Sequence, residues 1–138
     1  METIFSVGVL IIKDGKVLLV RHGESAGHLT GVYGLPAGRL NKDEDEKIAA
    51  VRELFEETGI VVSEEDLIEY PNDIWTADIK RKDGTIKTFQ IKVFVCKKWS
   101  GELAKTEETT PEWVEIAKLD EYNLLPNVKE IVMREVRW

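Results

Sequence analysis

Residues 43–58 carry the clearest helical period in this sequence, and they divide into two unlike faces. A helix turns about 100° per residue, so Glu53, Glu56 and Glu57 fall within about a 100° arc. Ile48, Val51, Leu54 and Phe55 occupy the opposite side of the same wheel, while Ala49 and Ala50 lie among the acids. Asp43 is placed to cap the first turn, Glu46 follows three residues on as in a capping box, and Gly59 suits the position after the last turn. The chain must therefore fold around a helix that buries one stripe and holds three carboxylates side by side. Like charges four apart on a helix repel, and such a cluster sits more comfortably with a cation among its oxygens. Hard oxygen donors suit Mg²⁺ or Mn²⁺. Three glutamates alone are equally compatible with a solvated acidic face, so the surrounding residues have to decide.

Most of the remaining chain reads as strand. Residues 5–12 and 17–20 are β-rich and flank Asp14-Gly15, a pair that tolerates positive φ at both positions and so signals a hairpin. A loop with Gly23, Gly27, Gly31 and Gly34 leads to Leu35-Pro36-Ala37-Gly38. After the helix come β-rich runs at 60–62, 67–70 and 74–79, and Asp83-Gly84 turns the last of these back into 85–97, which alternates over 89–93. Residues 100–112 read as a polar, acidic loop and 113–116 as a short strand. Residues 128–136 read as a final helix with Val128, Ile131, Val132 and Val136 on its apolar side. Strands with two interspersed helices in 138 residues predict one α/β or α+β domain over 1–138.

Composition narrows the partners. At 43% hydrophobic residues the chain has enough apolar side chain for a packed core. Its 26 acids against 19 bases give a net charge of −7, which argues against a general nucleic-acid binder. Lys80-Arg81-Lys82 flanks a turn without interleaved aromatics and reads as a solvated run. Trp75, Trp99 and Trp113 read as core or rim packing. Cys96 is the only cysteine, which excludes an internal disulfide or a multi-cysteine zinc site, and it reads as inert in an apolar strand. No apolar run approaches the roughly 20 residues that cross a membrane. Met1-Glu2-Thr3-Ile4 lacks the basic start of an export signal, so a reducing cytoplasm is expected.

Gly38, Glu44, Arg52-Glu53-Leu54, Glu56-Glu57 and Gly59-Ile60 form one fixed pattern across residues 38–60. It resembles the Nudix box at every specified position, and Gly34-Leu35-Pro36-Ala37-Gly38 resembles the family's usual approach to it. Tyr33 stands where relatives often have Trp. The resemblance implies a Nudix α/β/α sandwich with a mixed central β-sheet. It also implies hydrolysis of a nucleoside diphosphate linked to a further group, water attacking a pyrophosphate phosphorus with Mg²⁺ (or Mn²⁺) at its oxygens. Carried over by position, Glu53, Glu56 and Glu57 are the metal ligands, with the Gly38 carbonyl a further candidate. Arg52 and Glu44 hold the glutamates in place. Glu53 is the first choice for general base, although that role varies within the family. Some relatives add an acid from a later loop, and of Glu102, Glu107 and Glu108 the last is the first choice. Arg21, Tyr33 and Arg39 are the candidates for substrate contact.

Val20-Arg21-His22-Gly23-Glu24-Ser25 resembles the Arg-His-Gly signature of histidine phosphatases and phosphoglycerate mutases. That chemistry calls for a distant second histidine, and His28 is too near in sequence. Within the Nudix resemblance, the expected substrate is a nucleoside triphosphate, modified or not, cleaved to monophosphate and pyrophosphate as in MutT-like members. An ADP-ribose or nucleotide-sugar pyrophosphatase is the alternative enzyme. Relatives of that kind often carry a Pro about sixteen residues past the box, where this chain has Trp75 or Thr76. A nucleotide-sensing module without catalysis is the third reading, and a homodimer is common in the family. The acidity is uneven: residues 38–60 hold seven acids and four bases, and residues 101–121 seven acids and two bases.

Overall fold

Asp14 (φ 51°) and Gly15 (φ 75°) form the tight turn that their sequence predicts, joining β2 (Ile12–Lys13) to β3 (Lys16–His22). The fold is seen in a computed structural model that describes residues 3–70 and 73–136, so Met1 and Glu2 of the expected cytoplasmic start lie outside the described residues. β1 (Thr3–Leu10) precedes this hairpin and runs parallel to β9 (Ile86–Cys96) over eight residue pairs. On β1's other side lies β5 (Ala37–Arg39), antiparallel. β7 (Leu67–Ile68) and β8 (Ile74–Lys80) both pair antiparallel with β9. A second sheet places β3 between β2 and β11 (Thr109–Glu115), with β4 (Tyr33–Gly34) also on β3. Two short strands, β6 (Ile60–Val61) and β10 (Ser100–Gly101), pair by themselves.

The strand alternation sorts the core into two layers, one on each face. Val7, Val9, Leu18, Phe94 and Cys96 point toward α1 (Glu46–Thr58) and meet Ala49, Ala50 and Leu54. Leu10, Val17, Leu19, Val93 and Val95 point the other way and meet Val128, Ile131 and Val132 of α2 (Val128–Val136). Adjacent residues thus serve opposite layers, as the period of two requires. This is the helix–sheet–helix arrangement with a mixed sheet that the resemblance implies.

Four local expectations need correction. Asp45, not Asp43, caps α1, accepting from the Lys47 and Ile48 amides. Asp43 sits in a left-handed turn (φ 61°), with Glu44 accepting from the Asn41 amide. The buried face of α1 is Ala49, Ala50, Leu54 and Thr58, whereas Ile48 and Phe55 are about half exposed. Small residues win that face because they let the helix approach the sheet closely. Residues 109–112, expected in a loop, belong to β11. Pro111 pairs opposite Val20 on an edge strand, where its missing N–H costs no ladder bond. In α2, Val136 is exposed and only Val128, Ile131 and Val132 are buried.

Gly59 takes the left-handed conformation (φ 83°) and its amide bonds the Phe55 carbonyl, ending α1 as its sequence predicts. Leu54 is fully buried beside this end. We expect Leu54→Ala to lower unfolding stability by about 3 kcal/mol, read from urea denaturation. A loss within error of zero would mean that α1 does not carry that core layer.

Candidate active site

The close seating of α1 decides where its carboxylates go. A Cβ on Gly38 would lie 2.0 Å from Cδ of Glu53, so only glycine leaves room for that carboxyl against β5. One turn on, Glu57 Oε1 accepts from the Ala37 amide at 2.6 Å. Both acids thus dock on the same three-residue strand. Burial raises the Glu57 pKa to about 8, opposed by the Ala37 amide and reinforced by the negative charges of Glu53, Glu108 and Glu56. Burial also raises that of Glu53, with Arg52 pulling the other way.

Arg52 organises the outer side of this cluster. Its Nε and Nη2 form a fork on Glu44 at 2.9 and 2.8 Å, and its Nη1 reaches Glu53 at 2.6 Å and Glu56 at 3.4 Å. Nη2 also donates to the Arg39 carbonyl, tying the network back to β5. The Arg52 bond first, and the Asn41 amide next, hold the Glu44 carboxyl down at about 2. Among the described residues, no three His, Cys, Asp or Glu side chains are gathered closely enough to enclose an ion. Here Glu53 turns to Arg52 and Glu57 to the Ala37 amide. The donor set nevertheless fits a hard cation: all are oxygens and partly desolvated, and the burial and neighbouring negative charge that disfavour the Glu57 carboxylate are what a cation among these oxygens would offset.

Glu53, Glu57, Gly38, Arg39 and Glu108 line one cavity of about 360 Å³. It lies within the size range of small-molecule sites. Glu108 is brought there by β11: its carbonyl accepts from the Gly23 amide, and the Thr109 hydroxyl donates to the Glu57 carbonyl. Glu107 and Glu102 are exposed and do not line it. Glu44, Arg52 and Glu56 do not line it, and Glu56 is exposed. Arg21 is exposed and Tyr33 is turned away, its hydroxyl donating to Glu112 and its ring packing edge-on to Tyr122. Neither lines the cavity.

The same cavity is also lined by the apolar and aromatic side chains of Trp75, Phe89, Ile91 and Leu125. The Trp75 indole donates to Asp73, a buried acid held by two bonds from Arg134 of α2 at 2.8 and 2.9 Å. His22 and His28 also line the cavity, edge-on to one another at 4.8 Å. Burial first, then nearby positive charge, lowers both pKa values to about 4, so both rings are neutral at pH 7. Nothing in the sequence pointed to His28, Phe89 or the Asp73–Arg134 pair, because each acquires its role from elements distant along the chain.

Comparison with known proteins follows the same lines. The family model for the NUDIX domain matches residues 3–136. A MutT-like protein of Streptomyces ambofaciens is 29% identical over 116 residues, covering 83% of this chain and 64% of that protein. An oxidized purine nucleoside triphosphate hydrolase of Danio rerio is 31% identical over 113 residues, covering 80% and 65%. The chain therefore spans slightly under two thirds of the length of these two relatives. The crystal structure of a MutT protein from Methanosarcina mazei Go1 superposes with a TM-score of 0.71 at 27% identity, covering 99% of this chain and 94% of that one.

The Glu44 carboxyl titrates lower in the fold than its ordinary 4.5. Its contribution to stability is therefore complete above about pH 4.5 and fades as pH falls toward 2. Glu44→Gln is expected to melt below wild type at pH 7, with the gap closing through that window. Melting curves taken from pH 7 down to 2 test this, and a gap that stays constant with pH would exclude the Arg52 bond as its cause.

Proposed function

Since this chain belongs to the NUDIX family, we propose that it hydrolyses a pyrophosphate bond in a nucleotide, with a nucleoside triphosphate as its substrate and monophosphate and pyrophosphate as products. One observation carries this reading. The carboxylates and the apolar aromatic wall belong to the same cavity, so a phosphate chain at the acidic end leaves its base against Phe89 and Trp75. The similarity to a purine triphosphate hydrolase supports the triphosphate over an ADP-ribose or nucleotide-sugar substrate.

Glu53, Glu56, Glu57 and Glu108 would hold Mg²⁺ or Mn²⁺, with the Gly38 carbonyl beside them. When bound, such an ion offsets charge on the phosphoryl oxygens and lowers the pKa of a coordinated water. The protein's own groups do the remaining work. Arg52 fixes Glu53 and Glu56 through a fork anchored on Glu44. The Ala37 amide fixes Glu57. Glu53, whose pKa is raised by burial, accepts the proton of the attacking water. A cytoplasmic setting agrees with Cys96, which is buried and unpaired. Among the described residues, no helix is long and apolar enough to cross a membrane.

The test is a nucleotide panel with Mg²⁺, reading released phosphate and pyrophosphate. Wild type should turn over a nucleoside triphosphate, EDTA should abolish the activity, and Glu57→Gln should lower kcat by roughly a hundredfold or more. Equal inactivity of wild type and Glu57→Gln across the panel, with nucleotide binding intact in both, would instead identify a sensing module.

A further inference from the structure

Strand β8 alternates strictly between solvent and interior. Ile74, Thr76, Asp78 and Lys80 are exposed, while Trp75, Ala77 and Ile79 are half-buried and line the cavity. Arg81 extends the inward set by one step: it is half-buried and lines the cavity too, between the exposed Lys80 and Lys82. The basic run expected to be solvated therefore sends its central member inward, as the period of two dictates.

The backbone is shaped to let it in. Arg81 crosses directly over Gly27, where a Cβ would lie 1.7 Å from Arg81 Nη2. Arg81 Nε donates to the Gly27 carbonyl at 3.1 Å, and the guanidinium lies 5.3 Å from the centre of the Phe89 ring. The Lys82 amide bonds the same carbonyl at 3.1 Å, and Lys82 Nζ donates to the carbonyl of Gly23, clasping the turn onto the loop. Of the five Arg81 donors, only Nε has a partner among the described residues, and neither Arg81 nor Arg39 is ion-paired there. Arg39 lines the same cavity. Burial, followed by the repulsion of Arg39, lowers the Arg81 pKa. Arg39 is exposed at the rim and Asp83 offsets part of the charge on Arg81, so the two guanidiniums are held near one another with donors still open toward the cavity.

Building on the nucleotide reading above, we propose that Arg81 and Arg39 clamp the phosphate chain of the substrate, Arg81 entering over Gly27 with its Nη1 and Nη2 donors free for phosphoryl oxygens. Arg81 is then a specificity residue for polyphosphate, reached from the β8–β9 turn rather than from the box. Its planar fork suits phosphate better than an ammonium does.

Calorimetric titration tests the clamp with two probes, inorganic triphosphate with Mg²⁺ and a nucleoside without phosphate. Arg81→Gln should weaken triphosphate binding roughly tenfold or more and leave nucleoside binding unchanged, with Arg81→Lys intermediate. Gly27→Ala retains the charge but displaces the guanidinium, and it should weaken triphosphate binding in the same way while melting as wild type does. Gly27→Ala decides the matter if Arg81→Gln fails to fold. Unchanged triphosphate binding in the folded variants would overturn the clamp, as would loss of nucleoside binding alone, which would make Arg81 a base-stacking group. In either case continued triphosphate hydrolysis by wild type leaves the hydrolase reading standing. A wild type that neither binds magnesium triphosphate nor hydrolyses any nucleotide overturns both.

Discussion

The contact of α1 with β5 governs the site. Helices and strands pack closely only where side chains are small, and here Ala49 and Ala50 are buried on the helix while Gly38 of β5 leaves room for Glu53. The result is that Glu53 and Glu57 are pressed against backbone rather than projecting into water. Desolvation then raises both carboxyl pKa values, which would cost stability if nothing offset it. Arg52 supplies part of that offset by joining Glu44, Glu53 and Glu56 in one network. The Ala37 amide supplies another part. The arrangement keeps two acids inward at the expense of local stability, as sites built for a charged ligand commonly do.

How much of this was legible in the sequence depended on whether the cause was local. Asp14-Gly15 and Gly59 act through their own φ angles, and both fell where expected. The Arg52–Glu53–Glu56–Glu57 group lies within two helical turns, so spacing alone placed it. The buried face of α1 was not legible, because a hydrophobic wheel ranks residues by apolarity and not by how near the helix must come to a sheet. Ile48 and Phe55 are the most apolar residues of the helix and yet are left half exposed. The start of β11 was hidden by Pro111 and its acidic neighbours, which mimic a loop until β3 is present to pair with them. Arg81 looked solvated because its environment is Gly27, 54 residues away.

The cavity wall shows the same division. Glu108 enters through the pairing of β11 with β3, and Trp75 is held by Asp73 and Arg134 from opposite ends of the fold's second half. Phe89 and Ile91 face the cavity because β9 is long enough to serve the core with Val93 and Val95 and the cavity with its earlier residues. One strand thus performs two tasks, and no periodicity within it marks where the first gives way to the second.

The acidity of the chain takes on a different meaning once these parts are assembled. The excess of acids lies in residues 38–60 and 101–121, and the fold brings members of both segments, Glu53 and Glu57 with Glu108, onto one cavity. Acids alone would gather a cation and repel a phosphate. Arg39 and Arg81 alone would attract any small anion. On the reading proposed above, both signs on one cavity of about 360 Å³ would suit a ligand that carries both charges itself, a phosphate chain already complexed with a divalent ion, because the ion inverts the local sign that the acids present. Charge of one sign tunes affinity, whereas charge of both signs on one cavity would, on that reading, select the complex over either component.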